Sequence, residues 1–201
     1  MPIARIGVIG AGQMGAGIAH VAALAGKDVV LADVSVELAG KGLAVVRKNL
    51  ARQVEKGKVT PEAADAALGR IVPAGDVAAF GETDLVVEAI VENEGVKREL
   101  FARLDGILPP EAILASNTSS ISITRLGAAT KRPGNVIGLH FMNPVPVMQL
   151  VELIRGIATS DETTAAVVAA AKEMGKVPVE CRDFPGFVSN RVLMPMINEA
   201  V

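Results

Sequence analysis

Two groups of residues in this chain have the types and spacing to do chemistry. The first is Gly10-Ala11-Gly12-Gln13-Met14-Gly15, which follows the apolar run Ile3 to Ile9 and opens a helix-period stretch. In a G-x-G-x-x-G turn so placed, the first glycine makes the tight bend and the second lets backbone approach a pyrophosphate. The third lets the helix pack close to the strand. The helix start then offers free N–H groups and the positive end of its dipole to phosphate oxygens. Gln13 and Met14, the first side chains of that helix, join the three glycines as cofactor-facing candidates. A second apolar run, Asp28 to Ala32, leads into Asp33, about twenty residues beyond the turn, where a carboxylate accepts hydrogen bonds from ribose hydroxyls and repels a 2′-phosphate. The predicted ligand is a dinucleotide, NAD rather than NADP. A glycine turn with a purely structural role is the competing reading, and the strand before it, the helix after it and Asp33 weigh against that.

The second group centres on His140, in the otherwise apolar run Val136-Ile137-Gly138-Leu139-His140-Phe141. A histidine in such a run is commonly a satisfied core residue. Its meaning changes if it has an acidic partner, and Glu152 stands in an equally apolar run, Leu150-Val151-Glu152-Leu153-Ile154. If these two runs are neighbouring strands, the carboxylate fixes the imidazole tautomer and favours its protonated form. Such a pair is suited to moving a proton near neutral pH. The other histidine, His20, lies on the helix after the glycine turn with no comparable partner in the sequence, and reads as a core residue.

The elements that must position these groups alternate regularly. The predicted strands are Ile3 to Ile9, Asp28 to Ala32, Asp84 to Ile90, Ala112 to Ser116 and Val136 to Phe141. They are near-continuous apolar runs, as expected of strands covered on both faces. Between them lie predicted helices at Met14 to Ala25, Val36 to Gly57, Pro61 to Leu68, Gly95 to Leu108 and Ser122 to Ala129. This order implies an α/β fold, a doubly wound, mostly parallel sheet with right-handed crossovers. Gln149 to Ile154 and Val177 to Cys181, flanking a helix at Glu162 to Met174, extend the sheet as late strands of open direction. Ligands of such sheets bind outside the carboxyl ends of the strands. Polar residues gather there in three places: Glu92, Asn93 and Lys97; Asn117-Thr118-Ser119-Ser120; and His140 with Asn143.

After the turn Asp183 to Phe187, a last helix runs from Val188 to Val201, with Val192, Leu193, Met196 and Ile197 along one side. A stripe of that kind calls for a cover, from a partner or a second domain.

Composition bounds the alternatives. The chain has 201 residues, 50% hydrophobic and 21% charged, enough apolar material to exclude a disordered chain and to build a core unaided. A formal net charge of -2 gives no reason to expect a nucleic-acid or membrane-surface partner. One cysteine, Cys181, rules out an internal disulfide framework and a cysteine-rich metal site. No targeting segment stands at the start and no apolar run reaches membrane-spanning length. The expectation is a soluble, cytoplasmic protein with no resident metal.

Five stretches, GVIGAGQMGAGIA, DLVVEAIVEN, ASNTSS, GLHFMNPVPVMQLVE and DFPGFVSNRVLMP, together resemble the short-chain L-3-hydroxyacyl-CoA dehydrogenases, a family that includes the 3-hydroxybutyryl-CoA dehydrogenases of fatty-acid metabolism. They occur in the family's order along the whole chain. The resemblance implies a Rossmann-type domain over residues 1–185, with 186–201 the start of a helical domain that in full-length members covers the substrate and forms a homodimer. It implies catalytic roles for Ser119, His140, Glu152 and Asn190, and cofactor contacts from Asp33, Glu92, Lys97, Ser119 and Asn143, with Asn117 alongside. The implied reaction is reversible NAD-dependent oxidation of an L-3-hydroxyacyl-CoA to the 3-ketoacyl-CoA. His140 would exchange the hydroxyl proton, Ser119 bond the C3 oxygen and Asn190 help position the substrate. The resemblance also places the coenzyme A near the helix Val36 to Gly57, where Arg47, Lys48, Arg52 and Lys56 form a basic side that suits either its phosphates or plain solvation. A relative acting on a free hydroxy acid, of gulonate or carnitine type, and an NAD-binding module without turnover are the alternatives.

Overall fold

A computed structural model describes residues 2–201. Eight strands form one sheet in the order β3-β2-β1-β4-β5-β6-β7-β8. They are β1 (Arg5–Ile9), β2 (Asp28–Ala32), β3 (Ile71–Ala74), β4 (Leu85–Glu88), β5 (Ile113–Ser116), β6 (Val136–Phe141), β7 (Leu150–Arg155) and β8 (Val177–Arg182). The helices are α1 (Gln13–Leu24), α2 (Val36–Glu55), α3 (Pro61–Gly69), α4 (Glu94–Asp105), α5 (Ile123–Gly127), α6 (Asp161–Glu173) and α7 (Ser189–Glu199). Strands β1 to β6 are parallel to their neighbours, β7 runs antiparallel to β6, and β8 is parallel to β7. The doubly wound architecture is as expected from the sequence, and the direction left open for the late strands is thereby resolved.

One strand went unread. Ile71-Val72-Pro73-Ala74 carries a proline, which removes a ladder donor and argues against a central strand. As β3 it pairs only with β2, so it is an edge strand and tolerates the missing N–H. Side-chain caps set the helix starts: Ser35, Thr60, Asn93, Ser122 and Ser160 each accept a bond from a backbone N–H inside the helix that follows.

The two faces of the sheet carry separate cores. On one, α1, α2, α3 and α6 cover the strands through residues such as Ile18, Val46, Leu50, Ala64 and Val167. On the other, α4 and α5 contribute Phe101, Leu104, Ile123 and Leu126, joined by Phe187 from the turn after β8. Burial at roughly 25 cal/mol per Å² of apolar surface makes both layers stabilising, and the strands between them must be apolar on both sides. The exceptions, Glu88, Ser116, His140 and Glu152, are all buried and lie within the central strands. Their polar groups therefore need partners inside the protein.

The sheet order changes hand between β1 and β4, and the crevice at a switch point of this kind opens beyond the carboxyl ends of those strands. The exposed side of α7 carries Val192, Leu193, Met196 and Ile197, each between 48% and 63% accessible, so the expected apolar stripe is present and faces outward.

Candidate active site

Beyond β1 the chain turns at Gly10 with φ of +96°, a conformation that only glycine adopts cheaply. A methyl group on Gly15 would lie 1.7 Å from the Gly10 carbonyl oxygen, so that position must lack a side chain for α1 to seat against β1. Gly12 differs: a methyl there would meet nothing within 4 Å. It is the N-cap of α1 and supplies no side chain to cap it. The helix start therefore presents its amides to open space, which fits a pyrophosphate. Asp33, at the end of β2, accepts from the Ala11 amide at 2.7 Å and the Val34 amide at 2.7 Å, bracing the turn. Beside it lies a cleft of about 450 Å³, lined by Val34, Val77, Ile90, Val96 and Leu100. A flat apolar group of adenine's size fits between such walls, with Asp33 at hand for the ribose. Gln13 donates to the Asn143 Oδ1 at 3.1 Å, tying the start of α1 to the loop after β6. Met14 is half-buried and packs on the core.

Strands β6 and β7 pair in the register His140 with Glu152. Across that pair His140 Nδ1 donates to Glu152 Oε2 at 2.8 Å, which leaves Nε2 as the nitrogen free to exchange a proton. The sequence expectation for these two residues holds geometrically. The other oxygen, Glu152 Oε1, accepts from the amides of Val188 at 3.1 Å and Ser189 at 2.7 Å, at the start of α7. Burial pushes the Glu152 carboxyl pKa up, but the His140 bond and the α7 amides together outweigh it and hold it below the ordinary carboxylate value. The Phe187 ring stands edge-on to the imidazole, centroids 6.2 Å apart, and shields one side of it.

Ser119 reaches the same place by another route. Asn190, one residue beyond Ser189 on α7, donates through Nδ2 to the Ser119 carbonyl at 3.1 Å. The first turn of α7 thus holds Glu152 with its backbone and the Ser119 segment with a side chain. Asn117 joins the strands from below, its Oδ1 accepting from the Phe141 amide at 2.9 Å. The first turn of α7 thereby ties the Ser119 loop, which follows β5, to the His140–Glu152 pair on β6 and β7.

A family model described as "3-hydroxyacyl-CoA dehydrogenase, NAD binding domain" matches residues 5–184. The chain belongs to this family. NAD is accordingly its cofactor, and the open amides of α1 with the cleft at Asp33 are where this chain would hold it. Among the relatives, a 3-hydroxybutyryl-CoA dehydrogenase of Bradyrhizobium diazoefficiens is 59% identical over 199 residues, covering 99% of this chain and 68% of that protein. A probable 3-hydroxybutyryl-CoA dehydrogenase of Bacillus subtilis is 56% identical, covering 100% of this chain and 70% of its own length. The crystal structure of (S)-3-hydroxybutyryl-CoA dehydrogenase from Ralstonia eutropha superposes with a TM-score of 0.96 at 49% identity, over 98% of this chain and 70% of that one.

As a 3-hydroxyacyl-CoA dehydrogenase domain, the chain places the remaining expected residues unevenly. Glu92 is exposed at the carboxyl edge of β4 and accepts from the Ser119 amide at 3.0 Å. Lys97 is only 1% accessible, held between Glu88 at 2.5 Å and Glu92 at 3.2 Å, so its ammonium reaches the crevice through Glu92. Arg47, Lys48 and Arg52 are exposed on α2, and Lys56 is exposed at its C-cap. Reading the sequence missed Glu88 and Ser116, and it noted Thr118 only as a member of a polar cluster; these residues hold Lys97 and Glu92 in place. The available signal was a glutamate inside the apolar run Leu85-Val86-Val87-Glu88, the same oddity that singled out His140. It also missed the Val188 and Ser189 amides, for which no side chain gives a clue.

Proposed function

We propose that this chain holds NAD and the acid–base residues for reversible oxidation of a short-chain (S)-3-hydroxyacyl-CoA, such as 3-hydroxybutyryl-CoA, to the 3-ketoacyl-CoA. The observation that carries the reading is the His140–Glu152 pair, linked through the first turn of α7 to Ser119. NAD, when bound, supplies the hydride acceptor. His140 takes the hydroxyl proton on Nε2, because Nδ1 is committed to Glu152. Glu152 keeps the imidazole oriented and offsets the charge it gains, while the α7 amides keep Glu152 ionised. The Ser119 hydroxyl bonds the C3 oxygen and Asn190 holds the loop that carries it. The exposed Arg47, Lys48, Arg52 and Lys56 offer coenzyme A phosphates a basic face.

The same reading makes 1–185 the cofactor domain and 186–201 the beginning of a helical one. Its apolar α7 stripe is covered in a homodimer in the cytoplasm. No described helix is long and apolar enough to cross a membrane.

The test is NADH oxidation with acetoacetyl-CoA, set beside acetoacetate as the free acid. Turnover confined to the thioester supports the reading. Comparable rates with the free acid would instead favour a hydroxy-acid dehydrogenase, and NADH binding without either reaction would leave a nucleotide-binding module.

A further inference from the structure

Glu88, at the end of β4, is 0% accessible, yet its carboxylate is fully engaged. Its Oε1 accepts from Lys97 Nζ at 2.5 Å and the Ile90 amide at 2.8 Å, and its Oε2 from the Ser116 hydroxyl at 2.6 Å. Taking a carboxylate and an ammonium out of water costs several kcal/mol per ion, and apolar residues of similar size often serve stability as well. The arrangement therefore calls for a purpose other than holding β4 in the sheet.

Three of the routes leading away from Glu88 run to the segment around Ser119. Through Lys97 it reaches Glu92, whose Oε1 accepts from the Thr118 hydroxyl, the Ser119 amide at 3.0 Å, the Ser119 hydroxyl at 3.4 Å and the Ser120 hydroxyl at 3.3 Å. Through Ser116 it reaches the Thr118 amide, which donates to the Ser116 Oγ at 3.2 Å. Through its own carbonyl it receives the Asn117 amide at 2.8 Å, and Asn117 in turn accepts from Phe141, next to His140.

We propose that Glu88 is a positioning residue for the nicotinamide side of the site. It does not touch the reacting atoms. By holding Lys97 between two carboxylates it leaves Glu92 free to clamp Thr118 and Ser119, and so sets the Ser119 hydroxyl relative to His140. The proposal rests on the reading above in taking the ends of β4 to β6 as the nicotinamide side, opposite the cleft at Asp33. When Glu88 is uncharged, Lys97 is matched by Glu92 alone. Glu92 is then drawn inward and residues 118–120 lose their clamp.

The experiment compares wild type with Glu88→Gln in this chain, titrating NADH and ADP-ribose separately and following amide hydrogen exchange at Ser119. ADP-ribose lacks the nicotinamide, so its affinity stays within about twofold while that for NADH falls about tenfold. Exchange at the Ser119 amide speeds up in parallel, since its acceptor has moved. Ser116→Ala cuts one route only, gives a smaller loss in the same direction, and carries the test if Glu88→Gln fails to fold. Equal losses for both ligands would make Glu88 merely structural and overturn the proposal, as would unchanged NADH affinity or unchanged Ser119 exchange. Wild-type chain that binds NADH but leaves acetoacetyl-CoA untouched bears on the substrate reading, while the ratio between the two ligands still judges Glu88.

Discussion

At the scale of single residues, the carboxylates of the site each hold several partners while the imidazole holds one. His140 has one ring nitrogen engaged and one free, and that asymmetry is what an acid–base residue needs. His140→Ala is expected to keep NADH affinity and, in the active enzyme, to lose at least about 10²-fold in kcat. Steady-state assays and a binding titration on the same preparation separate the two effects. Equal loss of both would make the imidazole structural. Glu152→Gln keeps the shape but offers a neutral group to the imidazole and to the α7 amides, so kcat should fall by about 10²-fold or more with little change in KM. Both residues were legible because a charge in an apolar run is conspicuous. Glu88 was equally conspicuous and was passed over, since its partner Lys97 lies on a different element and nothing in the spacing pairs them. Cys181 is quiet by comparison: burial, with Glu152 and Asp183 nearby, pushes its thiol up to about 11, so it stays protonated at neutral pH.

At the scale of elements, the glycine turn separates into positions that serve the fold and a position that serves the ligand. Gly15→Ala puts a methyl 1.7 Å from the Gly10 carbonyl, so α1 must shift off β1. A thermal melt should show a loss of about 1–3 kcal/mol, as for overpacked cores. Gly12→Ala meets only open space, so the melting temperature should hold while NADH affinity falls about tenfold. An unchanged affinity would mean that phosphates do not lie against the α1 amides. The parallel strands and their helices were readable from apolar runs and helix-period spacing. Two features were not. β3 carries a proline that only an edge position tolerates, and edge status is a property of the sheet rather than of four residues. The reversal at β7 depends on the loop between Met142 and Gln149 being too short for a crossover helix, and length alone does not give the register that brings Glu152 opposite His140.

For the whole molecule, several buried or half-buried polar groups couple stability to pH. Glu152 and Asp183 lie below the ordinary carboxylate range because hydrogen bonds outweigh the opposing effect of burial. Asp183 receives the Ser122 hydroxyl at 2.6 Å and the amides of Ile123 at 3.1 Å and Thr124 at 2.8 Å, fastening the turn after β8 to α5. A depressed carboxyl contributes stability that is complete above its unfolded pKa and disappears as pH falls through the folded one. His20 acts higher. Burial lowers its pKa from 6.5, against the opposing Gln53 bond, with Lys176 adding to the decrease, and its Nδ1 has no hydrogen-bond partner among the described residues. Below about 6.5 the unfolded chain takes up a proton that the folded chain resists, so stability falls on acidification there too. Urea midpoints should therefore drop first just below neutrality and again in the acid range, and His20→Gln should flatten only the upper step. The connection between Glu152 and the head of α7 has a practical corollary for anyone trimming this protein. A minimal nucleotide-binding fragment cut at Phe184, where the family match stops, would retain the whole of the sheet yet sever the two amides that hold the Glu152 carboxylate. Trimming the head of α7 would therefore leave the nucleotide-binding turn untouched while changing the electrostatics of the His140–Glu152 pair.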